Sequence, residues 1–310
     1  CVASVTRGMQ AEMARHGPRR CDVVGRMRVA HRLLLLVCVM PFGCGSDPTS
    51  ADAPPFLAVL SAMPSELAPN LAAAEVTETV ELAGREIRVG TLAGTRVVLG
   101  MTGIGMTNAA TVTRAVLERF PVHGVVVSGV ANTSLGIGDV AVPVTWLAPD
   151  GSAFAPDPEW LAFARELADA SALTTCSAAP PATPDSPICI DESPRIVVGG
   201  VGHTDDPFGG AAFPCWAGGG GVFGCDASVT SARARADDED VEVVEMETAM
   251  IAREASARGL PFIAFRATSD DGDGIASLVQ FFTYYGLAAD TASQATRSFL
   301  ARLADRAESR

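Results

Sequence analysis

The sequence contains no lysine, so all 23 of its basic residues are arginines. This absence excludes three kinds of chemistry that need a lysine amine: a Walker-type phosphate loop, a Schiff base and a Ser-Lys pair. The G-x-S-x-G motif of serine hydrolases is also missing, and His123 and His203 do not form a triad with a serine. Acyl transfer by a serine nucleophile is therefore not indicated.

Basic charge is scarce outside the N-terminal region. Residues 1–43 hold seven arginines and two acidic residues, and the remaining 16 arginines face 34 acidic residues, a balance of −18. A chain of this charge repels nucleic acid and anionic lipid surfaces. The composition therefore favours a neutral or cationic small-molecule substrate.

The eight cysteines include no C-x2-C pair, which makes a zinc site a poor interpretation. Four of them, at positions 176, 189, 215 and 225, lie in one Pro- and Gly-rich stretch. In an oxidising compartment they predict two disulfides in an irregular insert over 176–225. Three pairings are possible, and spacing does not choose between them.

The N-terminal region predicts an exported protein. Residues 27–43 have the arginines and short apolar core of a signal peptide. Gly43-Cys44 is similar to a lipobox with Cys44 lipidated, although Pro41 and Phe42 depart from that pattern and ordinary cleavage near Gly43 is the alternative. We expect residues 1–26 to be a non-translated or disordered extension, 44–55 a linker, and the protein to be a periplasmic or cell-envelope lipoprotein or a secreted protein.

Residues 56–310 predict one α/β domain: a three-layer α/β/α sandwich with a mixed, mostly parallel sheet, interrupted by the Cys-rich insert. Continuous apolar strands alternate with amphipathic helices, which indicates a sheet covered on both faces. We expect strands over 56–63, within 85–103, and over 123–131, 140–146 and 261–270, helices over 108–120, 158–173 and 287–304, and a strand leading into a helix over 241–259.

The stretch FIAFRATSDDGDG, residues 262–274, ends an apolar strand in acidic residues. It is not an EF-hand, because Ile275 and Ala276 stand at its fifth and sixth positions. Ligands of open α/β sheets bind at the carboxyl ends of strands, where a partly desolvated Asp270 could donate a proton. The alternatives are a solvated turn aspartate and an ion pair of Asp270 with Arg266.

Three further motifs are ambiguous when each is taken alone. GMTGIGMTNAA (100–110) joins a strand to a helix but has Asn108 at the third glycine position of a dinucleotide fingerprint. VVEMETA (243–249) places Glu245 and Glu247 at a strand-to-helix junction, and LSAMPSEL places Glu66 after the first strand. Acidic residues in a first helical turn commonly complement the helix dipole.

The order and spacing of these motifs resemble the nucleoside phosphorylase superfamily, most of all the 5'-methylthioadenosine/S-adenosylhomocysteine nucleosidases and the exported bark and vegetative storage proteins. The resemblance runs from Phe56 to the C-terminus, apart from the insert. EMET and RATSD, with their spacing, are its most specific part.

The resemblance implies a role for each matching residue. Glu66 activates the attacking water, Met246 and Glu247 hold the ribose, and Asp270 with Ser269 protonates and orients the purine. Arg266 would support the Asp270 loop without contacting the substrate.

It further implies substrate contacts at Ala131 and Asn132 in SGVAN, where Val130 and Asn132 replace smaller residues. Phe223 is a candidate for stacking on the base, with an ordinary core residue as its alternative.

VVVSG has no arginine where phosphorylases carry one, which favours water over phosphate. We expect hydrolysis of a purine nucleoside or thio-nucleoside by a homo-oligomer, commonly a dimer, without metal or organic cofactor. The alternatives are a phosphate-dependent phosphorylase and a non-catalytic nucleoside-binding or storage protein.

Overall fold

The computed structural model describes residues 55–213, 241–272 and 274–308. The predicted signal peptide, Cys44, the linker up to residue 54, Phe223 and the cysteines at 215 and 225 lie outside these ranges. Within them, no helix is both long enough and apolar enough to cross a membrane.

Fourteen strands and five helices make up the described part of the chain. The strands are β1 (Phe56–Ser61), β2 (Glu75–Leu82), β3 (Arg85–Leu92), β4 (Thr95–Met101), β5 (Val122–Thr133), β6 (Val140–Val142), β7 (Thr145–Leu147), β8 (Ala153–Phe154), β9 (Cys176–Ser177), β10 (Ile188–Cys189), β11 (Ile196–Val198), β12 (Val201–Thr204), β13 (Glu242–Glu245) and β14 (Phe262–Asp270). The helices are α1 (Pro64–Ala73), α2 (Met106–Arg119), α3 (Pro158–Ala170), α4 (Thr248–Ser256) and α5 (Gly274–Glu308).

Twelve of the strands form one mixed sheet in the order β2-β3-β4-β1-β5-β13-β12-β7-β8, with β14 added to β5 and β6, and β11 to β6. The pairs β4-β1, β1-β5 and β5-β14 at its centre are parallel, whereas β2-β3-β4 and β13-β5 are antiparallel. β5 is the longest strand and connects both branches. The carboxyl ends of β1, β5 and β14 consequently meet at one edge.

Helices cover both faces of the sheet, which confirms the three-layer prediction. Buried side chains of α1, α3 and α5 pack with one face of the central strands, and those of α2 and α4 pack with the other. All nine residues of β14 are buried, as expected for a strand enclosed on both sides.

Several elements differ from the sequence-based expectation: the stretch predicted to be an irregular insert supplies β11 and β12 to the main sheet, and β2 and α5 also differ. β2 was not predicted, because its sequence EVTETVEL is polar and mostly exposed; it pairs antiparallel with β3 through a tight turn at Ala83-Gly84, both at positive φ. Helix α5 begins at Gly274 instead of residue 287, and continues through Gly286. A glycine fits there because a Cβ would lie 2.2 Å from the carbonyl oxygen of Pro180.

The described part of the insert contains one disulfide, between Cys176 and Cys189. It joins the two-stranded β9-β10 sheet. One of the three possible pairings is thereby selected for these two cysteines.

Candidate active site

Glu66 is held at the sheet edge by three backbone donors. It lies in the first turn of α1, two residues beyond its start, and is 2% exposed. Its Oε2 accepts the N–H groups of Ala62 (2.7 Å) and Met63 (2.9 Å), and its Oε1 accepts the N–H of Val130 (2.8 Å). Burial nevertheless raises the pKa of Glu66 above its usual value.

The approach of Glu66 to β5 needs a glycine at position 129. A Cβ on Gly129 would lie 2.5 Å from Glu66 Oε1 and 2.5 Å from Arg266 Nη1. Such contacts are far shorter than van der Waals distance, so any side chain here would displace both charged groups.

Arg266 is the centre of the charge cluster. Its side chain is 1% exposed, in a strand, β14, that is buried along its whole length. Its Nη1 lies 3.6 Å from Glu66 Oε1, and its Nη2 lies 3.2 Å from Glu247 Oε2 and hydrogen-bonds to Glu245. These are the carboxylates within ion-pairing distance of Arg266 in the described ranges, so Arg266 connects the water-activating and ribose-binding candidates instead of pairing with Asp270.

Glu245 was noted in the sequence without a role, and the structure makes it the anchor of Arg266. The carboxylate accepts the N–H of Glu247 (3.0 Å), the N–H and hydroxyl of Thr248 (2.8 Å each) and the hydroxyl of Thr204. Thr248 Oγ1 also lies 2.9 Å from Arg266 Nη2. The signal that could have found this cluster is a single arginine in a fully buried strand, because a buried charge needs buried partners of opposite sign.

Glu247 directly precedes α4 and faces the loop before α2. Its Oε1 accepts the N–H of Gly105 at 2.8 Å, and Gly105 has a positive φ of 89° that favours glycine. Burial and the nearby charge of Glu245 raise the pKa of Glu247 to about 8, against the opposing effect of Arg266.

Asp270 ends β14 and is surrounded by hydroxyl and amide donors. It is 6% exposed, so it is not a solvated turn residue. Its Oδ1 accepts from the Ser269 hydroxyl (2.7 Å), and its Oδ2 accepts from Asn132 Nδ2 (2.6 Å) and the Ser277 hydroxyl. Ser277, in the first turn of α5, was not predicted from the sequence.

Glu66 and Asp270 contact the same strand close together. Glu66 accepts from Val130 and Asp270 from Asn132, two residues further along β5. At a rise of about 3.3 Å per residue these two anchoring points are about 7 Å apart. Ala131 lies between them, 5% exposed, with its carbonyl oxygen 3.2 Å from Ser269 Oγ.

Two aromatic residues that the sequence reading did not single out lie beside the Gly103–Gly105 loop. A Cβ on Gly105 would be 3.0 Å from the ring of Phe208, which packs at 5.0 Å on Phe213. Asn108, the residue in the third glycine position of the motif, fastens this segment by donating to the carbonyl of Phe213 (2.9 Å). Met246 is partly buried against the same core cluster.

Over the described ranges, no group of three or more His, Cys, Asp or Glu side chains is arranged to hold a metal ion. The acidic side chains of the site are instead satisfied by Arg266, backbone N–H groups and hydroxyls. Such an arrangement supports proton transfer and recognition of hydroxyl groups.

Comparison with known proteins adds an independent line of evidence. The family model described as Phosphorylase superfamily matches residues 56–304. An uncharacterized protein of Mycobacterium tuberculosis is 32% identical over 223 residues, which cover 61% of this chain and 87% of that protein.

Two nucleosidases are also similar to this chain. A 5'-methylthioadenosine/S-adenosylhomocysteine nucleosidase of Bacillus anthracis is 39% identical over 89 residues, which are 28% of this chain and 38% of that protein. The crystal structure of S-adenosylhomocysteine nucleosidase from Streptococcus pyogenes in complex with 5-methylthiotubericidin superposes with a TM-score of 0.60 at 19% identity, covering 82% of this chain and 99% of that one. The structural likeness shows that the fold is shared.

Proposed function

Because the chain belongs to the phosphorylase superfamily, as its motifs predicted, we propose that it hydrolyses the N-glycosidic bond of a purine nucleoside or 5'-thionucleoside. Nucleosidases are among the proteins similar to it in sequence and in fold. The observation that carries the proposal is that Glu66 and Glu247 both lie beside the buried guanidinium of Arg266. Asp270 is close to them, because its donor Asn132 is two residues along β5 from Val130, the donor to Glu66.

The reaction places opposite demands on the two ends of the bond. As the bond between the sugar C1' and the purine N9 breaks, the sugar gains positive charge and the base gains negative charge. Water adds to C1' and gives one proton to Glu66, while Asp270 gives one proton to purine N7, so the two transfers balance. General acid and base catalysis typically contribute about 10²–10⁴-fold each.

Glu66 suits the task of a base that orients water. Its three backbone hydrogen bonds fix the carboxylate, and Arg266 at 3.6 Å balances its charge. Burial raises its pKa, which increases its affinity for the water proton.

Water suits this cluster better than phosphate. Three carboxylates, Glu66, Glu245 and Glu247, surround the single guanidinium of Arg266. This cluster has no net positive charge left to balance a phosphate dianion, so phosphate binding beside it is disfavoured. Hydrolysis therefore takes precedence over phosphorolysis.

Glu247 and Met246 are assigned to the ribose. A ribose diol offers two hydroxyl donors, and Glu247 is a buried acceptor beside the Gly105 loop. Met246, partly buried next to it, offers apolar contact to the sugar.

Asp270 and Ser269 are assigned to the purine, with Asn132 and Ser277 as partners. After Asp270 gives its proton to N7, its carboxylate is stabilised by the donors at Ser269, Asn132 and Ser277. Ala131, in β5 between Val130 and Asn132, is assigned to the wall of the site between base and sugar.

The 5' group and the setting of the enzyme complete the proposal. The names of the relatives point to 5'-methylthioadenosine or S-adenosylhomocysteine as the first substrates to test. We further propose export through residues 27–43, lipidation at Cys44 and assembly as a homo-oligomer.

The test is to incubate the protein with 5'-methylthioadenosine, S-adenosylhomocysteine or adenosine, with and without inorganic phosphate in the buffer. Chromatography then measures the adenine released. Hydrolysis predicts equal rates in both buffers and a free reducing sugar. A requirement for phosphate with formation of a sugar 1-phosphate identifies a phosphorylase, and nucleoside binding without turnover identifies a binding protein; either result overturns the proposal.

A further inference from the structure

A buried asparagine lies one helical turn behind Glu66. Asn70 is four residues further along α1 and has no exposed surface. Residues four apart lie on the same face of a helix, so Asn70 points towards the sheet, as Glu66 does. Asparagine is a poor residue for a buried helix interior, since its amide loses hydration unless both of its ends are hydrogen-bonded.

Both ends of the Asn70 amide are bonded, and to different elements. Its Nδ2 donates to the hydroxyl of Ser128 in β5 (3.1 Å), and its Oδ1 accepts from the hydroxyl of Ser293 in α5 (2.8 Å). Both serines are fully buried. Asn70 thus fastens α1 to the sheet on one side and to α5 on the other.

The same serine connects the segments that donate to Glu66. Ser128 stands two residues before Val130, the donor to Glu66 Oε1. Its carbonyl accepts the hydroxyl of Ser61 at 2.7 Å, and Ser61 directly precedes Ala62, a donor to Glu66 Oε2. Helix α1 and its two anchoring strands therefore share one buried network.

We propose that Asn70, through Ser128 and Ser61, is a positioning residue for Glu66, and that it sets the carboxylate in its catalytic orientation. Asn70 does not contact substrate; it fixes the helix that carries Glu66 relative to the strands that supply its N–H donors. The kinetic part of this proposal depends on the nucleosidase function, and its structural part does not.

The experiment compares Asn70→Leu, which keeps approximate volume and removes both hydrogen bonds, with Val116→Ala, a core change in α2 on the face of the sheet opposite α1. We expect Asn70→Leu to lower kcat by ~10²-fold, the size of effect that an error of about 1 Å in a catalytic group produces. KM is expected to stay near the wild-type value, since Glu247 and Asp270 are untouched. Val116→Ala lowers the melting temperature and leaves kcat unchanged.

A gentler variant covers the case in which Asn70→Leu does not fold, and a double-mutant cycle tests the coupling where Asn70→Leu does fold. Ser128→Ala removes only the hydroxyl, and it is expected to lower kcat in the same direction. If the two residues act together, the loss in the double variant is smaller than the product of the two single losses. The proposal is contradicted if the loss of kcat in the double variant equals the product of the two single losses. It is also contradicted if the melting temperature falls while kcat is unchanged.

Crystal structures of the wild type and the Asn70 or Ser128 variant give a readout that does not need turnover. The proposal predicts that Glu66 loses its hydrogen bond to Val130 or changes rotamer in the variant. If all three N–H bonds of Glu66 persist, the positioning role is wrong. If the wild type itself cleaves no nucleoside, only the proposed function fails.

Discussion

Arg266 Nη1 and Glu66 Oε1 lie 3.6 Å apart, and both side chains are 1% exposed although 200 positions separate them in the sequence. A guanidinium in this environment is stable because three carboxylates share its charge. The pair joins β14 to α1, and it places the proposed general base beside the proposed ribose ligand, Glu247.

Replacing Arg266 with methionine leaves three buried carboxylates without a cation. Breaking a buried ion pair in this way typically costs about 3–5 kcal/mol, so urea denaturation is expected to show a large loss of stability together with loss of turnover. The matched change is Arg302→Met, which removes a half-exposed pair with Glu166 and should cost at most about 1 kcal/mol. If the two substitutions lower the free energy of unfolding and turnover equally, Arg266 is not the cation that stabilises the site.

Glu66→Gln tests the water-activating role. The amide nearly matches the carboxylate in shape but cannot take a proton, so kcat is expected to fall by about 10²–10⁴-fold. Affinity for free adenine, measured by calorimetry, should change little because the base contacts lie at Asp270. Glu81→Gln on the exposed strand β2 is the control. Unchanged turnover in Glu66→Gln rules out this residue as the base.

Glu247 makes stability depend on pH. Its folded pKa of about 8 lies above the ordinary 4.5, so the stabilisation from its protonated form is complete below pH 4.5 and is lost as pH rises to 8. The slope is at most about 1.4 kcal/mol per pH unit. Urea denaturation between pH 5 and 9 should show a weaker pH dependence in Glu247→Gln, with the remainder due to Glu66. An identical slope in variant and wild type contradicts the raised pKa.

The Cys176–Cys189 disulfide closes a segment with a sequence separation of 13. Loops of this size are expected to gain roughly 3 kcal/mol from the bridge. The double variant Cys176→Ala/Cys189→Ala should therefore have a lower melting temperature than the wild type. Reductant should lower the stability of the wild type but have little effect on the double variant. Peptide mapping of the wild type that finds both thiols free shows the pairing to be wrong.

The sequence was sufficient for the elements that bury a continuous apolar surface. β1, β5 and β14 were predicted from their apolar runs, and Asp270 was expected at the end of β14, where the structure has it. The antiparallel β2 was missed because an edge strand with exposed Glu and Thr side chains gives no burial signal. The start of α5 was missed because Ile275 and Val279 are exposed, so the apolar pattern does not follow a buried face.

The sequence named candidate site residues but not the contacts between them. Arg266 and Asp270 are four residues apart in one strand, about 13 Å at a rise of ~3.3 Å per residue, which is too far for a direct ion pair. Arg266 instead reaches Glu66 in α1 and both Glu245 and Glu247 at the junction of β13 and α4. Sequence separation alone does not reveal such partners, and Ser277 and Asn70 depend in the same way on how α5 and α1 pack against the sheet.

The decisive measurement for the proposed mechanism is the rate of adenine release in phosphate-free buffer, compared between the wild type and Asp270→Asn. Asparagine preserves the size of the side chain and removes the proton that Asp270 gives to the purine. We expect turnover of a purine nucleoside by the wild type and a loss of about 10²-fold or more in the variant. Equal turnover by both proteins contradicts the proposed mechanism.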